Sequence, residues 1–133
     1  MTKFNIYAKF GSDAKKEVEG VPFIVDAETN AHILVARWSG RNVAHALEQA
    51  ELTKQNPDKS VEELEPLRVK VFAKHLIKGW QGITDINGNE LPFTTENAIT
   101  LLSDLPDLTD QLLNFSLTRS NYPLDGVEVV EKN

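Results

Sequence analysis

His32, His45 and His75 are the only histidines, and the chain has no cysteine. A helical zinc pair needs histidines at i and i+4, and structural zinc sites commonly add thiolates; neither pattern is present. The three imidazoles are therefore expected at the surface or partly buried. Trp38-Ser39-Gly40 lacks the first glycine of a nucleophile elbow. The seven glycines are scattered singly, so no Gly-x-Gly-x-x-Gly loop can cradle a phosphate. Carboxylates are plentiful, but spacing alone gives no pair opposed acid and base roles. The expectation is a protein that is not an enzyme and holds no metal and no cofactor.

One near-motif for calcium needs weighing. Asp85, Asn87, Asn89, Leu91 and Glu96 fall at positions 1, 3, 5, 7 and 12 of an EF-hand loop. Position 6, which needs glycine for its sharp turn, is Glu90, and position 8 is Pro92. A tight turn built on Asn87-Gly88 is the better reading.

The elements that would position any site follow from periodicity. Phe4, Ile6, Ala8 and Phe10 alternate with polar residues and predict a short strand. Lys15-Lys16-Glu17 reads as a polar connector. Val18–Ala27 reads as a strand with Val21, Phe23 and Val25 on one face, and Pro22 puts it at an edge. Glu28-Thr29-Asn30 turns the chain, and His32–Trp38 returns, giving a β-hairpin that must pack on something. Gly40–Asn56 predicts a helix with Val43, Ala44, Leu47 and Ala50 as its apolar stripe. Two starts compete for the next helix: a capping box at Ser60 and Glu63, or Pro66, because proline is tolerated in a first turn but not beyond it. That helix carries Val69, Phe72, Leu76 and Trp80, and Gly79 and Gly82 end it. Thr94 or Thr95 caps a helix bearing Ala98, Leu101, Leu102 and Leu105. After Pro106 a last helix runs from Asp107 to about Ser120. Residues 122–133 either fray or add a strand through Val127–Val130. The fold class is α+β, mainly α, with an N-terminal β-hairpin packed on a small bundle of about four helices. One domain over 1–133 is expected, with its core in 18–121 and flexible ends at 1–17 and 122–133.

Composition narrows the class further. With 133 residues, 41% hydrophobic and 26% charged, the chain has the make-up of one soluble domain. No apolar run approaches the ~18 residues of a membrane span. Met1–Asn5 shows no basic-then-apolar signal pattern, so secretion is not expected. The absence of cysteine fits a reducing cytoplasm. Charge is unevenly placed. Gly79–Thr118 contains no Lys or Arg but six acids (Asp85, Glu90, Glu96, Asp104, Asp107, Asp110), and the rest of the chain is balanced. A nucleic-acid binder needs the opposite pattern. The acidic stretch is either a solvated surface or one that meets a basic or amphipathic partner.

The stretch Gly79-Trp80-Gln81-Gly82-Ile83, then Asn87-Gly88, then Leu91-Pro92-Phe93-Thr94-Thr95-Glu96-Asn97-Ala98 and Leu101-Leu102 to Pro106-Asp107-Leu108, resembles the tail assembly chaperones of long-tailed (siphovirus-type) bacteriophages. Gly20–Ala27 and Ile33–Arg37 are similar to that family's early hairpin. Asn87-Gly88 replaces the more usual Asp-Gly, a change the turn accepts. The likeness spans roughly residues 18–121. It implies a late protein of the bacterial host cytoplasm that binds the tape measure protein, keeps it from aggregating, and gives way to the tail tube protein. Such a protein is absent from the mature virion and contacts neither nucleic acid nor membrane. Self-association follows from weak, repeated binding along a long partner. Leu108, Leu112 and Phe115 on the last helix are the partner-binding candidates, with core packing as their competing role. Glu131-Lys132-Asn133 can be encoded with the slippery heptamer A AAA AAC in frame, and this predicts a longer frameshifted product. A permanent phage structural part, such as a tail terminator or head–tail joining protein, is the alternative.

Overall fold

Asn5 and Asp13 open the chain with two short helices. In the computed structural model, which describes residues 3–125, the Asn5 side chain accepts hydrogen bonds from the amides of Tyr7 and Ala8 and starts α1 (Ile6–Phe10). The alternation of Phe4–Phe10 therefore does not make a strand: a local cap satisfies these amides, and among the described residues no strand neighbours them. Asp13 caps α2 (Ala14–Glu19) through the Lys16 amide, so the expected polar connector is also helical. Gly20, at φ 95°, then lets the backbone pass against Val35; a Cβ there would lie 3.2 Å from the Val35 carbonyl carbon.

β1 (Val21–Asp26) and β2 (Ala31–Val35) form the expected antiparallel hairpin, closed by Asn30 in the left-handed region at φ 59°. Pro22 sits on an edge strand, as its missing amide requires, because the sheet order is β1-β2-β3. The third strand corrects the sequence reading. α4 (Val61–Leu76) stops one turn before Trp80, and the chain passes directly into β3 (Ile77–Gln81), pairing Trp80 with Ile33 and Gly79 with Leu34. The free edge of β2 supplies backbone partners that a continued helix would have left unpaired. Ser60 also wins the competition over the start of α4. Its hydroxyl accepts from the Glu63 amide at 3.1 Å, Glu63 reaches back to the Ser60 amide at 3.3 Å, and Pro66 is carried inside the helix. The loss is one amide bond, that to the Glu62 carbonyl.

α3 (Val43–Gln55) lies along α4, and α5 (Thr95–Asp104) packs on the other side of α4. α6 (Pro106–Leu117) takes proline at its first turn and leads into a 3₁₀ turn, Arg119–Asn121. The core lies between the sheet and α4–α6: Ile33, Val35, Phe72, Leu76, Ala98, Leu102 and Leu112 are fully buried. Tyr122, grouped by sequence with a flexible end, is buried with them and donates its hydroxyl to the Val35 carbonyl at 3.0 Å. The candidate strand Val127–Val130 lies outside the described residues.

Candidate functional site

The most buried carboxylate is Glu17, held at the junction of α2, the end of β2 and the start of α3. It accepts from Ser12 Oγ at 2.6 Å, Ser39 Oγ at 2.9 Å, Arg37 Nη1 at 3.1 Å and Arg41 Nε at 2.9 Å. Burial alone would raise its pKa, but the two hydroxyl donors and two guanidinium groups outweigh that and hold it below the ordinary glutamate value. Asn42 Nδ2 ties the same junction to the carbonyls of Glu17 (3.0 Å) and Arg37 (2.6 Å). This network fixes the entry of α3, and with it the way that helix faces.

α3 turns a polar side inward. His45 and Gln49 are buried, while Val43 and Leu47 are 58% and 66% exposed. Gln49 Nε2 donates both to the Arg68 carbonyl and to His45 Nε2, each at 3.1 Å. His45 Nε2 must then be the acceptor, which puts the ring proton on Nδ1. Nδ1 has no conventional partner, but the imidazole stands edge-on to Trp38, with ring centroids 4.5 Å apart and planes at 82°. Burial, with nearby His75 second, lowers the His45 pKa to about 4, so the ring is neutral at physiological pH. At the rim of the same seam Glu48 accepts from Lys74 Nζ at 2.8 Å and His75 Nε2 at 2.9 Å. Polar side chains therefore join α3 to α4, and the stripe Val43, Ala44, Leu47 and Ala50, expected to be core, faces solvent.

Each exposed Val or Leu forfeits roughly 1.5–3 kcal/mol of burial in the free chain. A helix that hides a histidine and a glutamine while displaying valine and leucine offers a surface for another apolar helix. Ala46 and Ala50 are exposed on the same face, and small side chains permit a close approach.

The residues singled out from sequence are placed otherwise. Leu112 is fully buried, and Leu108 and Phe115 pack against the core; the Phe115 ring meets Phe23 edge-on at 5.4 Å. The Gly79–Ala98 stretch closes on itself. Trp80 Nε1 donates to the Leu91 carbonyl at 2.8 Å, Trp80 packs edge-on against Phe93 at 5.0 Å, and Thr94 Oγ1 caps α5 through the Asn97 amide at 3.0 Å. Asp85 Oδ1 accepts the amides of Asn87 (2.9 Å) and Asn89 (3.0 Å), and Gly88 adopts φ 82°. The carboxylate at position 1 of the calcium-like pattern is thus engaged in its own turn. Among the described residues, no group of three or more His, Asp or Glu gathers as a metal site, and no helix is long and apolar enough to cross a membrane.

The α3 surface was missed because its spacing is that of a core stripe. Only the polar residues between (Asn42, His45, Gln49) hinted that this helix has two faces able to be buried.

Comparison with curated proteins gives no match, and neither does comparison with solved structures. A family model, however, matches residues 39–133, a span that takes in α3 and everything after it. That covers well over half of the chain, and the chain belongs to the YdaY prophage protein family.

Proposed function

We propose that this prophage protein is a tail assembly chaperone that binds the tape measure protein in the host cytoplasm and promotes tail tube assembly. The observation that carries this reading is the outward stripe of α3. Val43, Leu47 and Ala50 form an unpartnered apolar face on a helix whose other side is locked by hydrogen bonds. A long, mainly helical partner with amphipathic segments would cover that face and recover the forfeited burial. The exposed acids of Gly79–Thr118 keep such a binder soluble and away from DNA. The fit to chaperone-like sequence in Gly79–Ala98 supports the same reading. The protein then performs no catalysis, needs no cofactor and self-associates to engage repeated segments.

The test is co-expression with the tape measure protein of the same prophage. The wild-type chain is expected to keep that partner soluble and to co-purify with it, and Leu47→Asp is expected to lose it while remaining folded. Detection of the chain in purified virions by mass spectrometry would instead support a tail terminator or head–tail joining role. A slippery heptamer at the codons for Glu131–Asn133, with an overlapping minus-one frame, is expected in the gene.

A further inference from the structure

We propose that residues 3–10 form a linking arm that docks head-to-tail on the α5–α6 side of a second copy of this chain. The arm lies outside the stretch shared with the prophage family. It is apolar and, among the described residues, largely uncovered: Phe4, Ile6, Tyr7 and Phe10 are 69%, 55%, 70% and 61% exposed, and α1 buries no residue. It is also cationic, with Lys3 and Lys9 and no acid before Asp13. Lys9 Nζ stands 5.9 Å from the Phe4 ring centroid and 5.4 Å from that of Phe10, so charge and apolar surface are presented together.

Charge selects the occupant. Two arms would repel each other through their lysines. The complementary surface is on this chain. In the base-free stretch Gly79–Thr118, the carboxylates of Asp104, Asp107 and Asp110 are exposed, and Leu105, next to Asp104 in the chain, is 45% exposed.

In its own chain the arm lies beside a different surface, where Tyr7 and Ala8 line a shallow cleft with Arg119, Pro123 and Leu124. Its base is pinned at the C-terminal end of α6, where Arg119 Nη1 donates to the Gly11 carbonyl at 2.7 Å and the Asp13 amide donates to the Tyr122 carbonyl at 3.0 Å. The acids lie toward the other end of α6: at 1.5 Å per residue, Asp110 is about 10 Å and Asp107 about 15 Å from its last residue, Leu117. Donor and acceptor surfaces at opposite ends of one helix give a contact that is not self-complementary, and repetition of it yields open chains or rings.

Two variants of the full chain test this: an arm variant (Lys3→Ser, Phe4→Ser, Lys9→Ser, Phe10→Ser) and a corner variant (Asp104→Asn, Asp107→Asn, Asp110→Asn). All seven positions are exposed, and thermal melts with circular dichroism verify that both variants fold. In sedimentation velocity at low salt, the wild type is expected to form species larger than dimers and to dissociate as salt approaches 1 M. Each variant alone is expected to be a monomer. An equimolar mixture is expected to stop at a 1:1 heterodimer, because only one working arm–corner pair remains. A monomeric wild type at 0.2 mM overturns the proposal, as do folded variants that assemble like the wild type. Sedimentation of the monomeric protein with phosphatidylglycerol vesicles, abolished in the arm variant, also overturns it by assigning the arm to lipid.

Discussion

Helices α3 and α6 carry apolar stripes of the same spacing, Val43-Leu47-Ala50 and Leu108-Leu112-Phe115, yet one faces water and the other faces the core. What differs is the rest of each helix. The inward side of α6 offers Leu112 to the sheet, and Ser116 Oγ donates to the Ala36 carbonyl at 2.7 Å, so apolar burial and one well-placed bond agree. The opposite side of α3 offers Asn42, His45 and Gln49, and each finds fixed partners in Glu17, Arg37, Arg68 and Trp38. Hydrogen bonding within the fold, more than apolar spacing, settled which side of α3 is covered. A helix held this way keeps an apolar surface available without unravelling.

This contrast can be broken at several strengths. Leu112→Ala is expected to destabilise the chain by about 3 kcal/mol through lost transfer energy and a cavity, measured by urea denaturation. Next comes pH. The His45 pKa is about 4 in the fold against an ordinary histidine value of 6.5, so the unfolded chain takes up the proton first. That contribution is fully present above pH 6.5 and is lost as pH falls toward 4, on the order of 2 kcal/mol. Glu17 acts in the same direction at lower pH, since its lowered carboxyl pKa favours the fold only while ionised. Urea midpoints from pH 7 to 4 follow the loss, and His45→Phe should flatten the part between 6.5 and 4.5. A smaller effect, about 1 kcal/mol, is expected for Ser116→Ala, which leaves the Ala36 carbonyl without its hydroxyl donor. Smallest is Leu47→Gln: a change within about 0.5 kcal/mol in the same urea assay, because the side chain already stands in water. A large loss from Leu47→Gln would erase the distinction between the two helices.

Much of the architecture was legible locally. The capping box at Ser60, the N-cap at Thr94 and the Asn87-Gly88 turn are each set by side chains within a few residues of the backbone groups they satisfy, and Pro106 marks the first turn of α6. The β1–β2 hairpin was readable for the same reason, with Pro22 marking its outer edge. Reading failed wherever a distant partner decided. Phe4–Phe10 has the alternation of a strand, but no strand among the described residues lies beside it, and Asn5 makes a helix of it. Trp80 keeps helical step with Phe72 and Leu76, but the open edge of β2 claims it. Glu17 looks like an ordinary surface glutamate after two lysines until Arg37 and Arg41 arrive from elsewhere in the chain.

The amino-acid sequence by itself determined the class of fold, the turns and caps, the acidic stretch without bases and the absence of thiol chemistry, because these depend on composition or on neighbours along the chain. Tertiary structure alone decided which of two equally spaced stripes is core, that Tyr122 is buried, and that α4 yields to a third strand. Those outcomes rest on hydrogen bonds and contacts between residues far apart in sequence, whose geometry no local pattern encodes.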